Sequence, residues 1–146
     1  MSGFEYEAIF IGIVVGLSLQ NILSSIHKLV EAGRRVRWHW MAPAIAVEAS
    51  VLTLANFWFM WLYNRAGAQH QQMTFLTFLE VALAFGLLFL LCAATLPDEV
   101  PEQGIDLEAY YYANRHRIWG FSAGFYFLGV CLSVQQAISD PANTPV

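Results

Sequence analysis

"MTFLTFLEVALAFGLLFLLCAATL", residues 73–96, decides the fold. From Leu83 to Cys92 every residue is apolar or glycine, so a helix made of it is apolar on all faces. A helix on the surface of a water-soluble bundle needs a polar stripe every 3.6 residues. This run has none, and it is long enough for the ~20 residues that carry a helix across a bilayer. Three more runs match it: residues 8–26, 41–63 and 118–138. In lipid the backbone has no water to bond, so spans of this length must be helical. The expected fold is therefore all-α, a polytopic membrane protein with four transmembrane helices in an up-down bundle. Residues 1–140 form its single domain, and 141–146 a flexible tail.

Composition agrees. The 146 residues are 58% hydrophobic and 12% charged, where a soluble domain carries about 25% charge. The first run is not expected to be a cleaved leader, since Glu5 and Glu7 precede it in place of basic residues and no small-residue cleavage site follows at a suitable distance. Cys92 and Cys131 fall at different depths and are not expected to pair.

The basic residues set the orientation. Lys28, Arg34, Arg35 and Arg37 separate the first two spans, and Arg115 and Arg117 precede the fourth. Arg65 alone lies between the second and third. Cytoplasmic connections collect Lys and Arg, so both termini are expected outside. Trp38, Trp40, Trp58, Trp61 and Trp119 sit at span ends, where indole rings favour the headgroup level. Pro97 and Pro101 interrupt the third connection, after which Asp106 is placed to cap a helix. Tyr110, Tyr111 and Tyr112 would then meet the lipid surface, with Arg115 and Arg117 near phosphates. Together with Arg34, Arg35 and Arg37 they form a candidate rim for lipid or a partner.

Inside the spans the polar residues are few. At about 1.5 Å of rise per residue, Glu48 lies a third of the way in from the cytoplasmic face, level with Gln20 and Asn21. Asn56 lies a third of the way in from outside, level with Glu80. Tyr126 and Ser122 could join the inner layer. An ionised carboxylate in hydrocarbon costs several kcal/mol, so each acid must find company or take up a proton. One expectation is an ion or proton pathway with Glu48 and Glu80 as stations and Asn56, Gln20, Asn21 and Tyr126 as partners. The other is structural: glutamate–amide contacts that join helices at about 1 kcal/mol each.

Gly12 and Gly16 form one GxxxG motif, Gly120 and Gly124 another. Gly129 and Ser133 match the level of Gly12 and Gly16. The first and fourth helices are therefore expected to be neighbours, leaving Gly120 and Gly124 for a second copy or another membrane protein. His27, His39 and His116 gather at the cytoplasmic rim rather than in a span. No catalytic, metal or cofactor motif appears, and nothing points to nucleic acid. The bilayer is the first partner, and the alternative to permeation is an accessory or scaffold subunit.

The stretches "VGLSLQNILSSIHKL", "RRVRWHW", "NFWFMWLYN", "TFLTFLEVALAF", "LPDE" and "DLEAYYYANRHRIWGF" resemble a widespread family of small bacterial inner-membrane proteins. The likeness runs from about Gly16 to Phe121 and implies a bacterial source and four spans. No activity comes with it. The position held here by Glu48 is usually apolar or undefined in that pattern, so a role for Glu48 would be peculiar to this chain, and no functional residue is carried over.

Overall fold

The computed structural model describes residues 3–65 and 75–139. The chain is an all-α bundle of four helices: α1 (Gly3–Ala32), α2 (Met41–Arg65), α3 (Phe75–Thr95) and α4 (Leu107–Ser139). All four are long and apolar enough to cross a membrane. The tail beyond Ser139 lies outside the described residues, as does the connection between α2 and α3.

The helices outrun the apolar runs at one end. α1 continues through the charged residues His27, Lys28 and Glu31 before it stops. Gly33, at φ +51°, ends it in the left-handed conformation that glycine takes without strain. α4 begins eleven residues before Ile118, so the amphipathic lead-in and the span are one helix.

The all-round apolar α3 takes the central place. It packs on α1, α2 and α4, whereas α1 and α4 scarcely meet. That corrects the expected pairing of α1 with α4. A Cβ built on Gly12, Gly16 or Gly120 meets nothing within 4 Å, and Gly124 faces the Leu87 side chain of α3 at 3.7 Å. Matched depth of small residues did not imply contact, because the most apolar helix competes for every neighbour. On α2 the small buried residues are alanines, Ala42, Ala46 and Ala49, which let helices approach closely.

Two connections lock one end of the bundle. Val36–Arg37 (β1) pairs in parallel with Ile105–Asp106 (β2). Gly104, at φ +91°, passes so near Arg35 that a Cβ there would collide with the Arg35 carbonyl. Lys28 donates to the Asp98 carbonyl oxygen at 2.7 Å. Beneath these strands Leu29, Val36, Ala46, Leu96, Leu107 and Ile118 form one buried cluster. Val36 and Leu107 lie outside the apolar runs, in reach of water when unfolded. Burying each is worth about 1.5–3 kcal/mol, a driving force that lipid-facing contacts lack. A second cluster of Ile11, Val15, Phe85 and Leu88 fills the middle.

Asp106 does two jobs at this capped end. Its carboxylate accepts the backbone N–H of Glu108 at 2.9 Å, capping α4 as the sequence led one to expect. It also pairs with Arg37 at 2.9 Å, but the arginine side chain is 83% exposed, so the pair adds less than about 1 kcal/mol. Asp106→Ala is expected to destabilise the protein by about 1–2 kcal/mol, and Arg37→Ala by well under half of that. Unfolding in detergent micelles, followed by circular dichroism, measures both; equal losses would show that the ion pair and not the cap holds the end.

Candidate functional site: a polar groove between α2 and α4

Most polar side chains in the spans are satisfied by their own helix. Ser18, Ser50 and Thr53 each donate to the carbonyl four residues back at 2.8 Å. Asn56 donates to the Leu52 carbonyl at 2.8 Å, and Ser122 and Ser133 do the same to Ile118 and Gly129 at 2.9 Å. Between α2 and α3, Thr53 Oγ1 lies 3.6 Å from Cys92 Sγ, both fully buried.

The Thr53–Cys92 contact fixes the register of α2 against α3. Counting three residues along each antiparallel helix sets Asn56 level with Phe89. Glu80 then lies nine residues further toward the opposite end, about 13 Å away. Counting back from Thr53 sets Glu48 at the level of Pro97, just past the end of α3 at Thr95. Glu48 and Glu80 are thus separated by about 25 Å along the bundle axis. Both depths differ from those counted from the span ends. α2 starts beside the 97–106 connection rather than beside the last turn of α3, so its residues sit closer to the capped end. Among the described residues no hydrogen bond joins Glu48 to Gln20 or Asn21, or Glu80 to Asn56. Gln20 is exposed and Asn21 half-buried on α1, away from α4; Glu80 is half-buried on α3.

Other candidates do come together. A cavity of about 50 Å³ between α2 and α4 is lined by Glu48, Leu52, Leu91, Trp119, Ser122 and Tyr126, among others. A wider cavity follows along the same two helices, lined by Asn56, Phe125, Tyr126, Gly129 and Ser133, among others. Tyr126 borders both. The polar groups therefore follow one groove from Glu48 toward the far end, on the face of the bundle where α2 and α4 meet least closely. Glu48 and Tyr126 are exposed there; the Tyr126 ring meets Phe125 edge-on at 5.6 Å, and no hydrogen bond or ion pair is seen for either residue's side chain among the described residues.

Trp119 belongs to this site although its sequence position spoke only of the headgroup level. Its indole N–H donates to the Tyr111 hydroxyl at 3.3 Å, which fixes the ring beside the cavity. Tyr111 and Tyr110 are half-buried, and Tyr110 donates to the Ala94 carbonyl at 3.4 Å. Of the three tyrosines expected at the lipid surface, Tyr112 is the exposed one, at 48%. Arg34, Arg35, Arg37, Arg115 and Arg117 are all exposed around the capped end. His39 accepts the Met41 N–H at 3.5 Å at the start of α2.

Glu7 carries a signal that the sequence hid. It is only 6% exposed, one turn above the fully buried Ile11 on the inward face of α1. The two cysteines are free, Cys92 buried and Cys131 exposed. No family model, no curated protein and no solved structure matches the chain.

The groove predicts a cross-linking pattern. In a background without native cysteines, Glu48→Cys with Ser122→Cys should join through a short bis-maleimide. Glu48→Cys with Gln20→Cys should not, and the reverse result would place Glu48 against α1.

Proposed function

We propose that the chain is an integral protein of a bacterial inner membrane, with the capped end in the cytoplasm and both termini outside. Its α2–α4 groove handles a proton or small cation once another subunit, most simply a second copy, covers it. The continuity of the groove through Tyr126 supports this reading. Glu48, Ser122, Tyr126, Asn56 and Ser133 follow one path along two helices. Within one chain that path is open along its side. Permeation thus needs a second wall, and symmetry would repeat one acid in each copy. Glu48 is the titrating station. Glu80, Gln20 and Asn21 do not line that path. The basic residues around the capped end, Arg34, Arg35, Arg37, Arg115 and Arg117, favour the cytoplasmic placement.

A second reading has its own support. α4 leaves Trp119, Phe127, Val130 and Ile138 largely exposed. An accessory or scaffold subunit that docks α4 against a larger membrane complex would use the same surface without any flux.

Proteoliposomes loaded with a pH-sensitive dye separate the two. Permeation predicts a proton or cation flux that Glu48→Gln abolishes and Glu80→Gln preserves. Absence of flux in the unaltered protein, together with co-purification of a larger complex from native membranes, would replace permeation by the accessory role.

A further inference from the structure

Both halves of a contact lie on this one chain. The first is the α2–α4 groove, open along its side and carrying the exposed Glu48, to which no ion pair occurs among the described residues. Arg115 borders the groove from its own α4 and leaves Glu48 unanswered there. The second half runs along α4, about 100° around the helix from the groove-lining Trp119, Ser122 and Tyr126. It is a stripe of His116, Gly120, Ala123 and Phe127, all exposed. A Cβ built on Gly120 meets nothing within 4 Å, and the Phe127 ring is 71% exposed.

Heights along the bundle match the two halves. Gly124 faces the Leu87 side chain, so counting back along antiparallel α4 sets His116 level with Thr95. Glu48 is level with Pro97, two residues away, or about 3 Å along the axis. Phe127 stands at the height of the wider cavity, which Tyr126 and Gly129 line. Two copies oriented by the same basic residues point the same way, and a twofold axis along the bundle leaves every height unchanged. An α4 from a second copy, laid in the groove, therefore brings its His116 to the height of Glu48 and its Phe127 to the wider cavity. Gly120 and Ala123 let its backbone approach closely. On the reading that a second copy covers the groove, we propose that α4 of that copy is the missing wall, its His116 donating a ring N–H to Glu48. The exchange is reciprocal, each α4 filling the groove of the other copy. The rival element of equal height is α1, whose Lys28 reaches the Asp98 carbonyl. There His27 is flanked by the bulky, exposed Leu23 and Val30, which hold a neighbouring backbone away.

Two differently tagged copies, co-expressed in a background without native cysteines, provide the test. Glu48→Cys on one and His116→Cys on the other should join through a short bis-maleimide in native membranes. Glu48→Cys with His27→Cys on the other copy should not. Energy transfer between labelled copies in proteoliposomes reads the pairing itself. His116→Glu sets two carboxylates together and should weaken self-association about tenfold, and Glu48→Gln in the same chain should restore it. A link through position 27, or a loss that Glu48→Gln leaves unrelieved, overturns the seat of α4 in the groove. A chain that stays monomeric, or a different protein linked at position 48, overturns the second copy as occupant. Proton flux in the same liposomes separates this inference from permeation. A 48–116 link without flux keeps the dimer and removes permeation, whereas flux from a chain that forms no such link removes the dimer alone.

Discussion

Hydrocarbon offers no hydrogen bonds, and every polar group in these spans has to be answered by the protein itself. Serine, threonine and asparagine answer by folding back on the helix that carries them, as Ser18, Thr53 and Asn56 do. That solution is local, and it leaves the packing between helices to methyl groups and rings. A carboxylate has no such escape, because it carries no proton to donate to a carbonyl when ionised. Glu48 and Glu80 accordingly stand near opposite ends of the bundle.

The same constraint divides the molecule into two regimes. Around Ile11, Val15, Phe85 and Leu88 the helices touch in a setting where lipid would solvate them equally well. Around Leu29, Val36, Leu96 and Leu107 the alternative is water, and burial drives association. The paired strands, the Gly104 turn and the Asp106 cap are concentrated there. The capped end is the rigid base, and α4 rises from it, leaning mainly on α3. The looser α2–α4 contact above that base opens the groove that gathers Glu48, Ser122 and Tyr126.

Much of this was legible in the residues. Spans 41–63 and 73–96 match α2 and α3 within a few residues, since apolar length and helix length coincide where no charge follows. The ends of α1 and α4 were not, because Lys28 or Tyr110 can continue a helix beyond the lipid while adding nothing to an apolar run. Pro97, Pro101 and Asp106 announced the break and the cap before α4, each through backbone chemistry. Helix neighbours were beyond reach: the glycines of α1 and α4 share a depth, but α3 takes the space between them. Depth failed for Asn56 and Glu48 because it was counted from span ends, and the stagger of α2 against α3 is a tertiary fact. Tyr126 and Glu48 were chosen for their chemistry, and the groove supplied the reason they belong together.

The account hangs on Glu48 lying near one end of the spans, Glu80 near the other, and a hydrocarbon level between them. Spin labels at single cysteines placed at positions 48, 80 and 90, the last exposed on α3 between those two levels, report depth in reconstituted bilayers through the ratio of oxygen to water-soluble nickel collisions. The expected profile is a deep, oxygen-rich label at position 90 and shallower labels at 48 and 80 on opposite leaflets. A water-accessible label at position 90, or labels at 48 and 80 of equal depth near the bilayer centre, would contradict it.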